Sequence, residues 1–248
     1  QDLICAAALP ELDFAPPEVL QTGLALVFLS PLNEFLRQAG CEPKFILTLV
    51  GHTGCRKSSL AAWLLSFYGS FSATDLPMSF RDTANSMTYN GYTLKDVLTC
   101  VDDYHPSTKG DEATMRSIMQ VICRGYGDRA GRNRMNSHAQ LKEASPPRGN
   151  AIITAESVPH IGESTTARLF ILNMEQNCLD LKMFSDVQKF AGDGVFRRCL
   201  SAYTDWLADT FLTDENGFVS TLQHTYDRYR SECREQLGSR VHARVADT

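Results

Sequence analysis

The chain has 248 residues, 43% hydrophobic and 21% charged, the balance of a soluble globular protein and not of a disordered or fibrous one; the length suits one substantial domain with an extension. A net charge of −5 excludes a global attraction for polyanions, so any nucleic-acid contact must rest on a local basic patch. The 8 cysteines form no CxxC pair and no His/Cys cluster at ligand spacing, which argues against zinc and for reduced, mostly buried thiols. The start lacks a basic region ahead of an apolar run, and the longest apolar stretch, residues 24–29, is far below a membrane span. The expectation is a cytoplasmic protein with no membrane partner. The chain begins with Gln and not Met, as a fragment of a longer protein would.

Residues 1–16 read as an irregular lead-in. Pro16-Pro17-Glu18 opens a helix, with proline in the first turn, where its missing N–H costs nothing. Pro31 interrupts it; Leu32, Phe35 and Leu36 then repeat at helical spacing, and Gly40 suits a C-cap. Residues 45–50, Phe-Ile-Leu-Thr-Leu-Val, have the pattern of a buried parallel strand. A loop over 51–56 and a helix over 57–67 follow. Further strands are predicted at 78–83, 97–101, 151–154 and 169–172, with a helix over 111–123 and a basic loop over 124–149. From 181 the pattern is helical, with a break at 214–217. Strands alternating with helices predict an α/β fold whose central parallel sheet is flanked by helices and binds ligands at the carboxyl ends of its strands. The expected domains are the lead-in, a core over 17–180 with a basic insertion at 124–149, and a helical lid or bundle over 181–248.

The strongest motif is Gly51-His52-Thr53-Gly54-Cys55-Arg56-Lys57-Ser58-Ser59, between strand and helix. It matches the Walker A pattern G-x-x-x-x-G-K-[ST] except that Arg56 stands in place of the second glycine. In such a loop backbone N–H groups and the helix N-terminus converge on phosphate oxygens, Lys57 reaches the β- and γ-phosphates, and Ser58 offers a hydroxyl to Mg²⁺. That points to ATP as the ligand. A Walker B strand follows at 97–103, with Asp102 as the Mg²⁺ carboxylate and Asp103 where an ATPase places the group that polarises water. Strand 151–154 has a polar tip; Thr154 suits a sensor of the hydrolytic water, with Asn150 and Glu156 as alternatives. Arg168, ahead of the last strand, could reach the γ-phosphate of a neighbouring subunit as a finger, which would demand a ring. In the basic segment, Arg124, Arg129, Arg132, Arg134, Lys142 and Arg148 outnumber Asp128 and Glu143, and Arg129, Arg132, Arg134 and Lys142 are candidates for nucleic-acid phosphates.

The order of these parts, Walker A, a strand, Walker B with Asp102-Asp103, a basic insertion, a polar-tipped strand and Ala167-Arg168-Leu169-Phe170, resembles the helicase domains of mobile genetic elements and phages. These are AAA+ P-loop NTPases related to the superfamily-three and MCM helicases. The resemblance covers about residues 17–211 and implies a hexameric ring that threads single-stranded DNA and hydrolyses ATP between subunits. It maps Lys57 and Ser58 to Walker A, Asp102 and Asp103 to Walker B, Thr154 to sensor one and Arg168 to the finger. It sets the 124–149 segment where superfamily-three relatives carry a pore-lining hairpin. Two alternatives stay open. One is another P-loop enzyme, such as a small-molecule kinase; the other is a nucleotide-dependent binding module with weak turnover, favoured by Arg56 and by Asp at 103 in place of Glu.

Overall fold

The computed structural model describes residues 12–131, 134–135, 141–142, 144–159 and 161–237. Pro17 opens α1 (Pro17–Leu29), and Pro31 lies in a 3-10 turn (Ser30–Leu32) that leads into α2 (Asn33–Gln38). Gly40 then takes a left-handed φ of 74°. Strand β1 (Ile46–Val50) runs through the 51–56 loop into α3 (Lys57–Leu65). The core continues with β2 (Met78–Ser79), α4 (Ala84–Thr93), β3 (Leu98–Tyr104) and α5 (Lys109–Asp128). After the two-residue strands β4 (Arg134–Met135) and β5 (Leu141–Lys142) come β6 (Asn150–Ala155), α6 (Glu163–Thr166) and β7 (Leu169–Asn173). Three helices follow: α7 (Leu181–Gly192), α8 (Val195–Thr213) and α9 (Glu215–Leu237).

The central sheet has the order β2-β3-β6-β1-β7, and every pairing in it is parallel. β1 and β6 are buried along their whole length. Because side chains alternate across a strand, Leu47, Leu49, Cys100 and Ile152 face one layer, with α1, α3, α7 and α8 supplying Val19, Leu26, Leu60, Trp63, Phe184 and Phe196. Ile46, Val50, Val101 and Ile153 face the other, against Met87 of α4 and Ile118, Met119 and Ile122 of α5. An all-parallel five-stranded sheet covered on both faces is a P-loop NTPase-like α/β fold. Trp63 locks α3 into the first layer, its ring 4.9 Å from Phe14 and 5.7 Å from Phe196. The helix that follows the 51–56 loop is thereby fixed by packing.

Several elements differ from the sequence expectations. α4 was not foreseen: Ala84–Thr93 buries only Met87 and Gly91 and so lacks an apolar stripe, and it starts because Thr83 accepts from the Ser86 N–H at 3.2 Å. β2 is shorter than residues 78–83, since Asp82 turns back on Ser79, its carboxylate 2.9 Å from the Ser79 N–H. α5 runs on to Asp128, so Arg124 lies in a helix and not in a loop. The stretch Pro17–Gln38 is long and apolar enough by composition to cross a bilayer. Here Val19, Leu20, Leu26 and Val27 are buried in the core. α9 buries no residue fully and rests on Leu36, Ala39 and Cys41 through Val219, Leu222 and Tyr226.

Candidate nucleotide-binding site

The 51–56 loop crosses the carboxyl end of β1. A Cβ on Gly51 would lie 2.4 Å from the Met174 carbonyl oxygen that follows β7, so only glycine fits there. Gly54 and Arg56 both adopt left-handed conformations, φ 93° and 64°. The Walker pattern has glycine where Arg56 stands, and the backbone keeps the glycine-like geometry at a cost of about 1–2 kcal/mol. Cys55 is buried under the loop, which leaves His52, Thr53, Gly54 and Arg56 exposed. α3 begins at Lys57 with no side-chain cap and no acid in its first turn. Its first N–H groups therefore face the cleft as a ready anion site. The Lys57 ammonium donates to the carbonyls of Gly51 (2.5 Å) and His52 (3.1 Å).

Beside this loop, β3 and β6 fall out of register between Val101 and Tyr104, where Asp102 and Asp103 together oppose Thr154. Such a bulge re-aims side chains at a strand end, and here Asp103 is left at φ 68°. The Thr154 hydroxyl fills the break: it donates to Asp102 Oδ1 at 2.5 Å and accepts from the Asp103 N–H at 2.9 Å. Ser58 donates to the same Asp102 oxygen at 2.8 Å. Ser58 and Asp102 thus form a cluster of hard oxygen donors, the chemistry that suits Mg²⁺. Thr53, Gly54, Arg56, Lys57, Ser58, Ser59, Asp103 and Thr154 line one cleft of about 330 Å³. The Asp103 carboxylate, about half exposed, lies 3.6 Å from the Arg81 guanidinium.

Three further residues at this end carry no mark in the sequence as parts of the site. Arg81 follows the edge strand β2, His105 follows β3, and Glu156, an alternative sensor by sequence, is the first residue past β6. Glu156 accepts from the Thr53 hydroxyl, and its other oxygen lies 2.6 Å from His105 Nδ1. The available signal was position alone, since each sits just beyond the carboxyl end of a parallel strand.

The amino end of the sheet holds the other candidates. Arg168 precedes β7, and its carbonyl accepts from the Ile46 N–H that opens β1. It is therefore remote from the 51–56 loop of its own chain. Its guanidinium grips both Asp128 oxygens at 3.0 and 2.8 Å and also donates to the Ser164 carbonyl. Gly127 is glycine because a Cβ would lie 2.6 Å from the Arg168 stem.

Arg129, expected to touch nucleic acid, is corrected. Its side chain is 5% exposed and donates to the carbonyls of Pro43 and Gly149 and to Asn150 Oδ1. A guanidinium so enclosed has no face for a phosphate. Burial lowers the Arg129 pKa and raises that of Glu42, 3.4 Å away. Asn150, an alternative sensor, is also corrected: it is buried at this end, donating to Ser30 and Asn33. Arg132 lies outside the described residues, as do the side chains of Arg134 and Lys142, whose backbones pair across β4 and β5.

No protein-family model matches this chain, and no curated protein matches it significantly. Among solved structures, it superposes on one described as SCCmec type IV Cch, an active helicase, with a TM-score of 0.59 at 15% identity, covering 91% of this chain and 40% of that one. A JCV helicase gives 0.39 at 14% identity over 90% of this chain and 65% of that one. The C-terminal region of NrS-1 gives 0.39 at 14% over 76% and 45%. The chain thus spans less than two thirds of the length of each. The first likeness shows the fold alone: this chain shares the α/β architecture of the matched part of that structure.

Proposed function

We propose that the chain is the ATPase core of a DNA helicase or translocase of the mobile-element or phage type, with residues 17–180 as the motor core and 181–248 as a helical extension. The observation that carries this is the chain of hydrogen bonds from Ser58 through Asp102 and Thr154 to the Asp103 backbone, beside an uncapped helix N-terminus. In this reading the triphosphate lies along residues 51–59, with the α3 N–H groups and Lys57 against its oxygens. Ser58 and Asp102 hold Mg²⁺, which when bound neutralises phosphate charge. Asp103 orients the attacking water and accepts its proton, with one carboxylate oxygen 3.6 Å from Arg81. Thr154 keeps the two aspartates in their bulge.

Arg168 is the proposed finger for a neighbouring subunit of a hexameric ring, released from Asp128 on assembly. Single-stranded DNA is the proposed substrate, met by Arg132, Arg134 and Lys142. The Arg81–Asp103 pair and the strained Arg56 support a second reading, a nucleotide-dependent binding module with weak turnover.

The test is ATP hydrolysis with and without single-stranded DNA over a range of protein concentrations. Stimulation by DNA that grows with protein concentration supports the ring motor. Tight ATP binding with no turnover selects the binding module, and DNA-independent turnover by a monomer selects another P-loop enzyme.

A further inference from the structure

The 51–56 loop is tied down twice. Lys57 donates into the carbonyls of its own loop, at Gly51 and His52, occupying with its ammonium the acceptors nearest the phosphate cradle. The second tie is Glu156. Its N–H donates to the Tyr104 carbonyl at 3.2 Å, which continues the β3–β6 ladder and fixes the residue at the cleft wall. One carboxylate oxygen accepts from the Thr53 hydroxyl, and the other lies 2.6 Å from Nδ1 of His105, itself in the turn after β3, where its backbone N–H donates to the Asp103 carbonyl. Thr53, Lys57 and Glu156 all line the same cleft.

A carboxylate beside an incoming triphosphate is a like charge in a half-enclosed space and opposes binding. The hydroxyl that it holds belongs to the loop that, in the nucleotide reading, wraps the phosphates.

We propose that Glu156 is a positioning residue that sets nucleotide affinity: it tethers the 51–56 loop through Thr53, with His105 beside its second oxygen, and nucleotide binds by opening this tether. The inference rests on the nucleotide reading above and adds a regulatory contact to it.

A fluorescent N-methylanthraniloyl ATP titrated with Mg²⁺ into the wild type and variants tests both, alongside the melting temperature of each protein. Glu156→Gln removes the charge, and Thr53→Ala removes the donor. Each should bind the nucleotide roughly tenfold more tightly, the scale of one hydrogen bond to a charged group. The effects of the two substitutions should be less than additive in the double variant, because both act on the same contact, Glu156→Gln weakening the acceptor and Thr53→Ala removing the donor, and Thr53→Ser should return the wild-type affinity. Unchanged or weaker binding by both single variants at near wild-type melting temperature overturns the tether, as do fully additive effects. If Glu156→Gln fails to fold, Thr53→Ala and Thr53→Ser decide alone. A wild type that binds no nucleotide, or Lys57→Ala binding as well as the wild type, overturns the nucleotide reading itself and the tether with it.

Discussion

At the carboxyl ends of the strands, Thr53, Lys57, Ser58, Asp103, Thr154 and Glu156 line an open cleft and hydrogen-bond largely to one another. At the amino ends, Arg129, Asn150 and Arg168 are equally polar but enclosed, each satisfied by carbonyls, a carboxylate or an amide of the surrounding chain. The sheet separates two uses of the same chemistry. Where the backbone groups of the turns are already paired with side chains, polarity holds the fold. Where a helix N-terminus is left bare and loop carbonyls are borrowed by a lysine, polarity waits for a ligand.

Breaking the carboxyl end should give the largest effect. Lys57→Ala should cut ATP hydrolysis by at least about a hundredfold while leaving the melting temperature close to that of the wild type, as a partly exposed side chain outside the apolar core allows. Breaking the amino end should do the opposite. Arg129→Ala leaves the Pro43 and Gly149 carbonyls, Asn150 and the Glu42 carboxylate without their partner and should lower stability by about 3–5 kcal/mol in chemical denaturation. A loss below about 1 kcal/mol would show that the clamp is dispensable.

Two further substitutions sharpen the contrast. Thr154→Val keeps the shape of the bulge but removes the hydroxyl shared by Asp102 and the Asp103 N–H; turnover should fall roughly 10- to 100-fold with nucleotide affinity little changed, the effect of an unsatisfied polar group worth about 1–3 kcal/mol. Arg168→Ala sits between the two regions. It should cost about 1–3 kcal/mol of stability through Asp128 and Ser164 and abolish turnover only in the assembled protein, with nucleotide binding retained. Normal turnover by assembled Arg168→Ala protein would remove it from the chemistry.

Much of this was visible in the sequence wherever pattern and burial agree. Residues 46–50 are apolar throughout because β1 is covered on both faces, and the loop that follows carries its glycines and Lys57 at fixed spacing. Asp102 and Asp103 stand out as two adjacent acids near the carboxyl end of a largely apolar strand. Other features left no such trace. α4 follows from a threonine cap and tertiary contacts, since Ala84–Thr93 has no apolar period. The bulge that makes Thr154 the link between both aspartates is a matter of register between distant strands. Arg129 looked like its neighbours in a basic run. Its burial depends on the end of α5, on residues 147–150 and on Pro43 meeting in space. Glu156 was visible as a polar strand tip, but its bond to Thr53 joins residues a hundred positions apart.

The division of labour between the two ends is tested most directly by thermal denaturation with and without MgATP for the wild type, Lys57→Ala and Arg129→Lys. A ligand that binds only the folded state raises its stability by RT ln(1 + [L]/Kd), about 2.7 kcal/mol at a hundredfold excess over Kd. The account predicts that MgATP raises the melting temperature of the wild type and, from a lower starting point, of Arg129→Lys, and leaves Lys57→Ala unmoved. A full shift in Lys57→Ala, or none in the wild type, would contradict it.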